Sequence, residues 1–89
     1  MMRRDIVLTN RLGLHARAAS KLVQTASAHN SSVWLERGER RVNAKSIMGV
    51  LLLAAPLGTE LVLETDGDDE EAAMNALVAL VEDRFGEGE

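Results

Sequence analysis

Short β-type runs alternate along this chain with segments whose apolar residues recur at helical spacing, and that alternation decides the class of fold open to it. Asp5-Ile6-Val7-Leu8-Thr9 is rich in β-formers and is stopped by the turn-type cluster Asn10-Arg11-Leu12-Gly13. From Ala16 onward, Ala19, Leu22, Val23 and Ala26 recur at i, i+3, i+4 and i+7, which predicts one apolar stripe on a helix ending near His29-Asn30. Ser32-Val33-Trp34-Leu35-Glu36 and Arg40-Arg41-Val42-Asn43 read as two short strands joined around Gly38, most simply a hairpin. Ser46 then supplies a capping hydroxyl for a short helix from Ile47 to Leu53, closed by Pro56 and Gly58. That helix is apolar on more than one side, so it should be buried or bind something. Glu60-Leu61-Val62-Leu63-Glu64-Thr65 is a fourth strand, ended by Asp66-Gly67. Asp68 or Asp69 can cap a last helix whose first turn holds Glu70 and Glu71, with Ala73, Ala76, Leu77, Leu80 and Val81 as its inward stripe.

The order β-α-β-β-α-β-α predicts an α+β fold in which helices cover one face of a sheet and leave the other toward solvent. Periodicity leaves open a ferredoxin-like βαββαβ domain with an extra C-terminal helix, which shares the element order. A chain of 89 residues holds one modest core, so residues 1–89 are expected to form a single domain.

Composition excludes several functions. With one Trp, one Phe and no Tyr, neither base stacking nor a ring-lined groove is a natural expectation, and the core must be aliphatic. Absence of cysteine removes disulfides and thiolate metal sites. The longest apolar run, residues 47–57, is broken by Gly49 and Pro56 and is too short to span a bilayer. The opening Met1-Met2-Arg3-Arg4-Asp5 leads into a strand-like segment, not a signal-peptide block, which makes the cytoplasm the expected location. Residues 1–45 carry nine Lys or Arg against three Asp or Glu, and residues 46–89 carry one against eleven. Such asymmetry can steer a charged partner toward the basic side. Nucleic acid is not an expected partner, because the chain is acidic overall and its arginines are scattered through strands and turns.

His15 stands where the turn becomes the first helix. The first N–H groups of a helix lack internal partners and carry the positive dipole end, so an anion attached at residue 15 would meet donors from Ala16, Arg17 and Ala18. Arg17 adds a permanent charge in a planar fork suited to phosphate oxygens. A free imidazole has a pKa of roughly 6.5, so near neutrality much of it is nucleophilic. Gly13 permits a sharp turn that leaves the ring exposed.

Gly13-Leu14-His15-Ala16-Arg17 and Lys45-Ser46-Ile47-Met48-Gly49 resemble the two signatures of the histidine-containing phosphocarrier (HPr) family of the bacterial phosphoenolpyruvate-dependent phosphotransferase system. The likeness runs from the first strand to the last helix. It implies an open-faced β-sandwich, with a four-stranded antiparallel sheet covered on one face by three helices. It also implies that enzyme I gives its phosphoryl group to Nδ1 of His15, that Arg17 stabilises it, and that an enzyme IIA then receives it. Such a protein is a stoichiometric carrier, modified in turn, and not a catalyst with its own small-molecule substrate. By the same resemblance Lys21, Ile47, Met48 and Leu51 contact partners, although on their pattern alone Ile47 and Met48 suit a core equally well. Ser46 is a helix N-cap by position, and the resemblance adds an HPr kinase/phosphorylase as a partner that phosphorylates it in some bacteria.

Ala18 departs from the family, which usually has Pro after the motif arginine. Pro contributes mainly rigidity in a first turn, typically ~0.4–1 kcal/mol, so transfer should survive. Ala there is similar to some proteobacterial members, including those of a nitrogen-related regulatory branch, which stays open beside sugar uptake. A non-phosphorylated ferredoxin-like binding module, with His15 incidental, is the reading of a different class. His29, at a helix C-terminus, reads as structural. No metal or cofactor is indicated, since two distant histidines and the run 66–71 form no recognisable ligand set.

Overall fold

The computed structural model describes residues 1–88. Strand β1 (Met2–Val7) is followed by helix α1 (Ala16–Ser27), strands β2 (Ser32–Arg37) and β3 (Arg40–Asn43), helix α2 (Ile47–Leu52), strand β4 (Glu60–Asp66) and helix α3 (Glu70–Glu82). A one-turn 3-10 segment, Arg84–Gly86, closes the described chain. The strands form one antiparallel sheet in the order β1-β4-β2-β3. β4 therefore lies between β1 and β2, where a ferredoxin-like fold would place β3, and that alternative is excluded.

Strand alternation sends Ile6, Leu61, Leu63, Val33 and Leu35 to one face, where they meet the helices in an aliphatic core that also encloses Phe85. The helical stripes are rotated slightly from expectation. In α1 the buried residues are Ala18, Ala19, Leu22 and Ala26, with Val23 half-buried and Ala16 exposed. In α3 they are Ala73, Met74, Leu77, Val78 and Val81, while Ala76 and Leu80 are half-buried. A helix laid on a twisted sheet buries a stripe wider than one row, and flanking residues settle at its margins. β1 starts earlier than β-propensity suggests because Met2–Val7 pairs throughout with β4, from Met2↔Thr65 to Val7↔Glu60.

Two sequence expectations for caps and turns are met and one is corrected. Ser46 caps α2, its hydroxyl accepting from the Gly49 N–H at 3.2 Å. The β2–β3 connection is the two-residue loop Gly38-Glu39, with Gly38 at φ 59° in the first central position of a tight hairpin turn. Asp69 occupies the N-cap position of α3 without capping it. Its carboxylate instead accepts from the backbone N–H groups of Asn30 and Ser31, each at 2.9 Å, and from the Ser31 hydroxyl. This ties the α1–β2 turn to the start of α3, and those donors, the Ser31 hydroxyl foremost, hold the carboxyl at about 2.

The basic residues concentrated before residue 46 do not form a basic face. Arg3 and Arg41 lie on the open side of the sheet and are bound to Glu36 and Glu64, with Arg3 Nη1 at 2.5 Å and Arg41 Nη2 at 2.7 Å from Glu64 oxygens. The Arg41 guanidinium also stacks over Trp34, 4.7 Å from the ring centroid. Arg37 and Arg40 reach the carbonyls of Leu53, Ala54 and Leu52 at the C-terminal end of α2, where cations are favoured. Lys45 donates to the His29 carbonyl at 2.8 Å.

Hydrogen bonds from Arg41 and then Arg3 hold the Glu64 carboxyl at about 2, against an ordinary 4.5. A depressed carboxyl contributes stability that is complete above its unfolded pKa and is lost as pH falls through the folded one. Thermal melting followed from pH 7 downward should be flat above about pH 5 and then fall toward pH 2. Glu64→Gln should melt lower at pH 7 and lose less in that acid window, whereas parallel curves would contradict the role given to this carboxylate.

Candidate functional site

The site is built on the turn that precedes α1. Gly13 adopts φ 63°, and a Cβ there would come within 2.3 Å of the Ala55 carbonyl oxygen and 2.7 Å of Pro56 Cα. Only glycine meets both demands. The adjacent Leu14 N–H donates to the same Ala55 carbonyl at 2.8 Å, and the Leu14 side chain is buried. This contact presses the turn onto the segment that follows α2 and makes residue 15 the first position free of it.

His15 is the N-cap of α1, with φ −72° and ψ 176°, and its side chain makes no cap bond. Its carbonyl accepts the first intrahelical bond, from the Ala19 N–H at 2.8 Å. The N–H groups of Ala16, Arg17 and Ala18 thus precede the helical ladder and carry its partial positive charge. The His15 side chain is 27% exposed, so the ring is neither in the core nor fully solvated. It borders an open cavity of about 610 Å³ shared with Arg11, Leu12, Ala16, Arg17, Lys21, Gly86 and Glu87. Three cations thus border the same cavity as the imidazole, and Arg17 makes no hydrogen bond or ion pair with any described residue.

Glu87 and Asn10 escaped the sequence reading. The Glu87 carboxylate lies 2.5 Å from His15 Nε2 through one oxygen and accepts from Asn10 Nδ2 at 3.1 Å through the other. Asn10 is fully buried and also donates to the Gly13 carbonyl at 2.7 Å, so it joins both sides of the turn. Burial would raise the Glu87 carboxyl, but the bonds from Asn10 and His15, with the charges of His15 and Lys21, hold it below its ordinary value. An ionised carboxylate only accepts, so Nε2 is the donor in this pair, and in a neutral ring the lone pair then falls on Nδ1. No sequence signal pointed to this pair, because the two residues are separated by most of the chain.

What brings Glu87 back is the turn at Arg84–Gly86. Arg84 and Phe85 both have positive φ, 54° and 55°, a conformation that costs an L-residue roughly 1–2 kcal/mol. Complete burial of the Phe85 side chain, typically worth ~1.5–3 kcal/mol, offsets much of the cost of the two residues. Lys21 Nζ donates to the Phe85 carbonyl at 2.6 Å. Lys21 is accordingly half-buried and anchored on one side, with its charge at the cavity.

The remaining sequence candidates lie on α2. Within it only Val50 is buried, while Met48 is 68% exposed and Ile47, Leu51 and Leu52 are also exposed, as is Ser46. Leu12 and Leu57 add further exposed aliphatic surface. His29, by contrast, donates from Nδ1 to the Thr25 carbonyl at 2.9 Å, a local role at the end of α1. Among the described residues no three His, Cys, Asp or Glu side chains gather as metal ligands, and no helix is long and apolar enough to cross a membrane.

Residues 2–83 match the family model described as the PTS HPr component phosphorylation site. The phosphocarrier protein HPr of Cupriavidus necator is 56% identical over 89 residues, all of both chains. The phosphocarrier protein NPr of Shewanella violacea is 38% identical, over 97% of this chain and 94% of that protein. Among solved structures, the crystal structure of HPr-C-His from Thermoanaerobacter tengcongensis superposes with a TM-score of 0.95 at 48% identity, covering 98% of each chain. The motif around His15, the four-stranded antiparallel sheet with its three helices and these full-length likenesses agree: the chain belongs to the HPr family of phosphocarrier proteins of the phosphotransferase system.

Proposed function

We propose that the chain accepts a phosphoryl group from phosphorylated enzyme I on Nδ1 of His15 and donates it to enzyme IIA proteins, in sugar uptake or its regulation. The observation that carries this reading is a part-exposed imidazole whose Nε2 is occupied by Glu87, set at a helix N-terminus in a cavity with Arg11, Arg17 and Lys21. The step is an in-line displacement: a bond forms from the Nδ1 lone pair to phosphorus while the bond from phosphorus to the donor atom of enzyme I breaks, its electron pair staying with that atom. The N–H groups of Ala16, Arg17 and Ala18, which precede the helical ladder, and the Arg17 guanidinium suit the phosphoryl oxygens. Helix-end charge interactions are typically worth ~0.3–1 kcal/mol and hydrogen bonds to charged groups ~1.5–3, enough to orient a phosphoryl group without trapping it. Such holding suits a carrier that works in the cytoplasm and releases its cargo to the next protein.

The exposed aliphatics of α2, Ile47, Met48 and Leu51, give partners an apolar centre, and Met adapts to more than one of them. Ser46, exposed at the start of α2, is in this reading a second phosphorylation site for an HPr kinase/phosphorylase, where added negative charge would repel an acidic partner. A nitrogen-branch role is the second reading. Ala18 favours it, standing fully buried in the first turn where the family usually has proline, and the greater likeness to the Cupriavidus HPr weighs toward the first.

Incubation with enzyme I and phosphoenolpyruvate should label the chain with acid-labile phosphate, and His15→Ala should remove the label; labelling that persists in the variant would refute the assignment. Arg17→Ala should slow transfer by about tenfold to a hundredfold, the loss of one or two charged hydrogen bonds, with an unchanged melting temperature. A wild-type rate there would leave the guanidinium without a role. Met48→Asp should weaken binding of both enzyme I and an enzyme IIA by about tenfold, as expected for an apolar contact at an interface centre. Unchanged titration curves would remove α2 from the contact surface.

A further inference from the structure

We propose that Glu87 is a positioning residue for phosphoryl transfer: its carboxylate, delivered by the Arg84–Gly86 turn and braced by Asn10, accepts a hydrogen bond from Nε2–H of His15 and so keeps the lone pair on Nδ1. The inference rests on the reading of His15 as the acceptor and adds the group that selects the reacting atom. Both carboxylate oxygens are committed, one to His15 at 2.5 Å and the other to Asn10 at 3.1 Å, so the group cannot swing freely. Asn10 is fixed in turn, because its Nδ2 serves two acceptors, Glu87 and the Gly13 carbonyl. The turn that delivers Glu87 is held at its centre by buried Phe85 and by the bond from Lys21 to the Phe85 carbonyl.

The charges facing the imidazole are arranged accordingly. Arg11, Arg17, Lys21 and Glu87 border the open cavity, and the Glu87 carboxylate sits against Nε2. A carboxylate hydrogen-bonded to one ring nitrogen fixes the tautomer and orientation of the ring and stabilises the positive charge that develops when the other nitrogen attacks. As the bond from Nδ1 to phosphorus forms, that charge is shared with Nε2–H, which already points at Glu87. When the phosphoryl group leaves for its acceptor, the electron pair returns to Nδ1. Nε2 keeps its hydrogen throughout, so the carrier completes a cycle with no proton gained or lost at that atom.

The test uses the full chain with ¹⁵N-labelled histidine and the variants Glu87→Ala and Glu87→Gln, whose melting curves report any loss of fold. In the unphosphorylated wild type at alkaline pH, Nδ1 should resonate as an unprotonated nitrogen and the Nε2–H proton should be protected from exchange. Glu87→Ala should lose that protection, populate both tautomers, and accept phosphoryl from enzyme I about tenfold more slowly. Glu87→Gln, whose amide oxygen still accepts from Nε2–H, should restore the tautomer and most of the rate. A wild-type ring protonated on Nδ1, or a wild-type transfer rate in Glu87→Ala whatever its tautomer, overturns the proposal. The tautomer is read without any phosphoryl transfer, so failure of the acceptor reading shows separately, as absence of label on the wild type itself.

Discussion

The close approach of two backbone segments, residues 13–14 against residues 55–56, is the constraint on which the site depends. No side chain fits at position 13, and the Leu14 N–H is spent on the Ala55 carbonyl. The turn is thereby pinned between β1 and α1, and α1 must begin at a defined point in space. His15 inherits that point, with a cap conformation, a ring clear of the core and the first-turn amides of α1 beside it. A rigid support of this kind lets a carrier hold its reactive atom still while different partners come and go. It also makes the fold sensitive at a residue that carries no chemistry.

Electrostatics in this molecule is a matter of allocation. Five of the nine basic residues in the first 45 are committed elsewhere: Arg3 and Arg41 to carboxylates on the open sheet face, Arg37 and Arg40 to the carbonyl end of α2, and Lys45 to a turn. The cations that border His15 come from the turn and one helix face. Their field is local, concentrated on the cavity where a phosphoryl group would arrive. Glu87 adds an opposing charge on the same cavity, with its carboxylate against Nε2.

Much of this was legible in the sequence because it is local. Element order, the Ser46 cap, the Gly38 hairpin and the placement of His15 at a helix start all follow from residues within a few positions of one another. The strand order was not legible, since a common element order serves two topologies and the choice depends on where β4 inserts. Asp69, one of two residues that could cap α3, stands at the N-cap position but spends its carboxylate on Asn30 and Ser31, which come from another turn. Glu87 was invisible for the same reason on a larger scale: its meeting with His15 depends on two left-handed residues, Arg84 and Phe85, that propensity would not select. Exposure of Met48 and Leu52 was equally undecidable from an apolar run that suits a core.

The atom that takes the phosphoryl group is where site geometry and proposed chemistry meet. Nε2 is held by a carboxylate and Nδ1 is the proposed acceptor, so phosphorus–nitrogen coupling in the ¹⁵N-histidine protein, recorded after phosphorylation by enzyme I and phosphoenolpyruvate, reads the claim directly. Phosphorus bonded to Nδ1 of His15 is the result expected. Phosphorus on Nε2, on another residue, or nowhere on the chain would contradict it.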